Sequence, residues 1–173
     1  MQNLLVTTTV HLALLAYVVG LLAACVGRHH RPWQATARLV WTVGCGLFLV
    51  HVAAAFHFHY GWSHAIALRE TARQTAELTG VASGAGLYLN YLYTVLWVAD
   101  AAFWWRGLER YRSRPVAVDG ALHGFFLFIG FNATVVFEEG WVRWGAVASL
   151  VAVIAVLAVA RLRGGRSTEP RRP

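Results

Sequence analysis

The stretch VHVAAAFHFHYGWSHA, positions 50–65, places His51, His57, His59 and His64 at the end of a long apolar run. Imidazoles ligate haem iron, copper and zinc, and near neutral pH they also carry protons. In a continuous helix, residues two apart point about 200° from each other, so His57 and His59 do not chelate one ion side by side. His57 and His64 share a face but are separated by about 10 Å of rise. A break near Gly61 would let His57, His59 and His64 converge as a copper or zinc site, with Glu70, Glu77, Glu138 or Glu139 as further ligands. Without convergence they are amphipathic side chains at a headgroup boundary.

The elements that carry these histidines follow from composition. Hydrophobic residues make up 58% of the 173 and charged residues 13%, a polytopic membrane composition. A bilayer core about 30 Å thick needs roughly 20 apolar residues as helix, and five segments qualify: 4–26, 37–59, 85–105, 117–137 and 141–161. They lack the period-two alternation of barrel strands. The expected architecture is all-α: a single membrane-embedded domain over 1–163, built as a five-transmembrane-helix bundle. Residues 164–173 form a basic cytoplasmic tail without fixed structure.

The net charge of +7 comes from arginine alone, since lysine is absent. The arginines bracket the apolar runs instead of forming a phosphate-binding face, which argues against nucleic acid. Arg28, Arg31, Arg38, Arg106, Arg110, Arg112, Arg114, Arg161, Arg163, Arg166, Arg171 and Arg172 fall on one side of the five spans, and only Arg69, Arg73 and Arg143 on the other. The positive-inside rule then puts the chain in a cell inner membrane with its N-terminus outside and its C-terminus cytoplasmic. Trp62, Trp141 and Trp144 mark the outer interface, and Trp33, Trp104, Trp105 and Tyr111 the inner one. LLAAC at 21–25 resembles a lipoprotein cleavage site, but no basic segment precedes its apolar stretch, so the first segment reads as a retained helix.

The loop from Tyr60 to Gly84 holds SHAIALRETARQTAEL, a short extracytoplasmic helix between spans two and three with Ser63 as N-cap. Gly61 bends it away from the second span. On span three, Asn90, Tyr93, Thr94, Trp97 and Asp100 recur at helical spacing and should face protein. On span four, His123 and Asn132 lie about half a turn out of phase, so protein is expected on both sides.

Depth pairs the polar groups. Asp100 and His123 both lie about 9 Å from the inner surface, which suggests a hydrogen-bonded interhelical tie or a proton relay. His11 and His51 lie roughly 10–12 Å below the outer surface on sequential spans, the minimum for axial ligation of a b-type haem. Phe48, Phe56 and Phe58 would line its slot. Cys25 and Cys45 make no thiol metal motif, and Cys-x-x-Cys-His is absent. No phosphate loop, HExxH or nucleophile elbow occurs. Gly20-x-x-x-Ala24 and Gly120-x-x-x-Gly124 permit close helix approach.

Two functions fit these features. One is a membrane protein that binds haem or a transition metal through outer histidines, in electron transfer or metal handling. The other is a non-catalytic subunit or assembly factor of a larger membrane complex, with the bilayer and other membrane subunits as partners.

Overall fold

The computed structural model describes residues 2–26, 31–133, 144–145, 147–148 and 151. The fifth expected span, 141–161, lies largely outside the described residues, and the tail 164–173 wholly so. Among the described residues the regular structure is helical throughout: α1 (Gln2–Val26), α2 (Arg31–Phe58), α3 (His64–Thr79), α4 (Ala85–Trp105), α5 (Leu108–Arg112) and α6 (Val116–Phe131).

Among the described residues, two helices are long and apolar enough to cross a membrane, through Asn3–Ala24 and Trp33–Phe58. α4, over the expected third span, has 21 residues, but Asn90, Asp100 and its tyrosines dilute its apolar character; of the expected fourth span, 117–137, the described residues give α6, an apolar helix of 16 residues.

α1 and α2 run antiparallel. The Gln34 amide meets the Ala24 carbonyl, Trp41 lies over Gly20, Gly44 over Ala13 and Ala16, and the His51 ring touches Val6. Gly44 lets the helices close: a Cβ there would lie 3.0 Å from Ala16 Cβ and 3.1 Å from Trp97 Cζ2, so α4 wedges into the same junction. Gly20 belongs to this seam, whereas Gly120 and Gly124 have nothing within 4 Å among the described residues.

The interior is built from aromatic rings. Trp41, Trp97, Trp104, Tyr93 and Phe126 are its largest fully buried side chains. Trp41 stacks on Phe126 with an interplanar angle of 16°, while Tyr93 meets Trp97 edge-on at 82°. The buried residues Tyr93, Trp97, Asp100 and Trp104 follow one face of α4. Asn90 is exposed, because the face that packs passes through Tyr93 and Trp97 and leaves Asn90 to one side. Trp104 is likewise a core residue, 2% exposed, and not the interfacial marker expected for it.

Local capping signals set the outer connection. Gly61 (φ 54°) and Trp62 (φ 60°) are consecutive left-handed residues that reverse the chain, and the Ser63 hydroxyl accepts from the Ile66 amide to start α3. Gly80, in the left-handed conformation, stops α3 by donating its amide to the Ala76 carbonyl. α3 then folds onto the start of α4, where Leu68 packs so closely that Gly84 has no room for a Cβ.

Candidate functional site

Three groups of polar side chains stand out. The innermost is centred on Asp100, whose side chain is 2% exposed. Its Oδ1 pairs with Arg114 Nη1, and its Oδ2 accepts from the Tyr111 hydroxyl at 3.3 Å. Arg114 also donates from Nε to Asp119 and lies 4.3 Å from the centroid of the Tyr111 ring. Tyr111 itself stacks on Trp104, with centroids 4.2 Å apart and planes within 7°. One arginine thus joins α4, α5 and α6.

The sequence pairs Asp100 with His123 by depth; the structure gives Asp100 to Arg114 and Tyr111 instead. A guanidinium is permanently charged and forked, so it satisfies a buried carboxylate better than one imidazole nitrogen does. The short turn after α4 brings Arg114 back within reach. His123 is left among rings, 5.6 Å from Trp41 and 6.5 Å from Tyr17, and its Nδ1 has no hydrogen-bond partner among the described residues. Arg114, Tyr111 and Asp119 were hidden in the sequence because the arginine was read as a topology signal. The usable clue was the need of a buried carboxylate for a full opposite charge.

Electrostatics in this group agree with its geometry. Burial, reinforced by the Asp100 charge, raises the Tyr111 pKa, so Tyr111 acts as a neutral hydrogen-bond donor. Burial opposes the charge on Arg114, but its bond to Asp100 outweighs this and raises its pKa.

The second group lies on the α1–α2 seam. His51 Nδ1 is 2.9 Å from the Val6 carbonyl oxygen, which only accepts, so this nitrogen carries the proton. Neutral His51 therefore keeps its lone pair on Nε2. His11 Nε2 is buried without a hydrogen-bond partner among the described residues. Phe48 lies 5.8 Å from the His51 ring, as a slot wall would, but the ring reaches the α1 backbone directly. A porphyrin held between His11 and His51 would need a gap that this contact closes.

The third group is the turn between α2 and α3. The break at Gly61 forms as expected, yet it separates the histidines. His57 Nδ1 accepts from the Trp62 indole at 3.4 Å, and His59 lies beside Tyr60 with ring centroids 6.3 Å apart. His64 turns toward α4, with Nδ1 3.0 Å from Tyr91 Oη and Nε2 3.4 Å from Tyr88 Oη. Among the described residues, no three His, Cys, Asp or Glu side chains form a group that could hold a metal ion. Glu70 and Glu77, the nearest acidic candidates, are engaged by Arg73 on their own helix. Glu138 and Glu139 lie outside the described residues.

What this arrangement does chemically is fix helices: Asp100, Gln34 and His51 tie one element to another, and His123 sits among aromatic rings. Compared with protein-family models, with curated proteins and with solved structures, the chain matches none of them.

Proposed function

We propose that this chain is a five-span α-helical protein of the inner membrane, N-terminus outside and C-terminus cytoplasmic, serving as a non-catalytic subunit or assembly factor of a larger membrane complex. The observation that carries this reading is the closed aromatic interior. Trp41, Trp97, Tyr93 and Phe126 fill the space between α1, α2, α4 and α6, and Asp100 is neutralised by Arg114 at its inner end. Such an interior presents fixed helix surfaces and leaves little room for turnover. Leu4, Leu15, Leu39, Val95 and Val116 are exposed, the apolar exterior that lipid or neighbouring subunits would cover. Mild-detergent extraction followed by native electrophoresis tests the reading. Migration within a larger complex supports it, and a free monomer with enzymatic turnover would contradict it.

A second reading, metal handling through His11 and His51, is favoured by one observation: among the described residues His11 Nε2 has no hydrogen-bond partner, and the Val6 carbonyl fixes the proton of His51 on Nδ1 and leaves the lone pair on Nε2. A carbonyl that fixes Nδ1–H and leaves Nε2 basic is the usual orienting contact of a ligating histidine. Elemental analysis and a visible absorption spectrum of purified protein distinguish the two readings. Stoichiometric copper, zinc or haem that is lost in His51→Ala would establish the second.

A further inference from the structure

Arg38, in the N-terminal part of α2, is oriented by the fold, and its Nε has no hydrogen-bond acceptor among the described residues. Its guanidinium lies 4.1 Å from the centroid of the Trp105 ring. The Trp105 indole N–H donates to Thr42 Oγ1 at 2.9 Å, and the Thr42 hydroxyl donates to the Arg38 carbonyl at 2.8 Å. The helix that carries the arginine therefore also fixes the plane it rests on. Arg38 is half-buried, and its Nε has no hydrogen-bond partner among the described residues. No carboxylate among them forms an ion pair with it, whereas Arg114 is engaged by both Asp100 and Asp119.

A guanidinium held over an indole ring keeps N–H donors free at its edge, and a forked set of such donors matches a phosphate. Its surroundings suit a lipid. Leu39 and Val43, beside Arg38 and Thr42 on α2, are exposed, as are Trp105 and Trp33. Directly after Trp105, an open hollow of about 560 Å³ is lined by Arg106, Gly107, Leu108, Glu109 and Arg110. Apolar side chains flank the arginine along the helix and basic ones extend beyond it, as acyl chains and a headgroup require.

We infer that Arg38, held on Trp105, binds the phosphodiester of an anionic phospholipid in the inner leaflet, with Arg106 adding attraction at longer range. The inference rests on the membrane reading above. That reading is checked first: protein released from membranes by alkaline carbonate without detergent would overturn both.

The full chain, purified in detergent, is then titrated with phosphatidylglycerol or phosphatidylcholine and bound lipid is counted by native mass spectrometry. Wild type should retain phosphatidylglycerol in preference to phosphatidylcholine. Arg38→Gln should weaken that binding about tenfold, the loss of one charge-assisted hydrogen-bonding partner. Arg38→Lys, which keeps the charge but not the fork, should fall between them, and Arg69→Gln on the outer loop should match wild type. Circular dichroism reports whether each variant is folded. Unchanged phosphatidylglycerol affinity in both Arg38 variants would overturn the site. Displacement of the lipid by inorganic phosphate at equal concentration would overturn the assignment to a lipid.

Discussion

Arg114 and Asp100, fourteen residues apart, form an ion pair whose side chains are 11% and 2% exposed. It closes the inner end of the helix group and holds the turn between α4 and α6. Removing either partner strands the other charge in a poorly solvated place. Asp100→Ala and Arg114→Ala should each lower stability by about 3 kcal/mol. Asp100→Asn should be nearly as damaging, because an amide removes the buried charge partner of Arg114 and leaves it only the more exposed Asp119. In the double variant Asp100→Asn/Arg114→Gln the loss should be smaller than the sum of the single losses. Reversible unfolding in detergent measures these variants together with Arg114→Gln alone; strict additivity of Asp100→Asn and Arg114→Gln would argue against the tie.

The α1–α2 seam predicts a contrast between glycines. Gly44→Val drives a side chain into Ala16 and Trp97 and should cost about 1–3 kcal/mol. Gly124→Ala, at a position with nothing within 4 Å among the described residues, should be close to neutral. Thermal unfolding of the two variants side by side gives the comparison.

At the outer turn, Gly61 has φ 54° and Trp62 φ 60°. A Cβ at Gly61 is strained in this conformation by about 1 kcal/mol or more, so Gly61→Val should destabilise. Trp62→Gly relieves backbone strain and should leave α3 in place, as read by hydrogen exchange over 64–79.

The outer helix should also report on pH. Hydrogen bonds from Arg73 and Gln74 hold Glu70 well below the usual carboxylate range, at about 2. A depressed pKa contributes stability that is fully present above the unfolded value of 4.5 and is lost as pH falls toward about 2. Amide protection in α3 should therefore stay level above that upper value and decline below it, modestly, since the pair is exposed. Arg73→Gln should flatten the dependence.

Local structure was legible wherever one strong signal dominated. The helix over 85–105 is legible and α4 is Ala85–Trp105, because glycines precede it and arginine follows, although α4 is less apolar than the expected span. Ser63 was legible as the N-cap of α3 because its side chain has one obvious amide to serve. α5 was not anticipated, since a helix of five residues carries no periodicity to read. Partner choice was less legible still. Depth brought Asp100 and His123 to one level, but depth says nothing about which neighbour has the stronger claim on a carboxylate, and Arg114 reaches it from a turn. At the outer face the break at Gly61 was readable from the glycine, whereas the direction in which it sends His64 depends on Tyr88 and Tyr91, which only the folded chain brings there.

The five-span arrangement is tested most directly by cysteine labelling. Cys25 and Cys45 are first replaced by Ala, and Ala82→Cys and Ser113→Cys are introduced singly. Ala82 and Ser113 are both exposed, and neither caps a helix N-terminus as Ser63 does. In intact cells, a membrane-impermeant maleimide should label position 82 directly and position 113 only after the membrane is permeabilised. Labelling of both positions from the same side would contradict the arrangement.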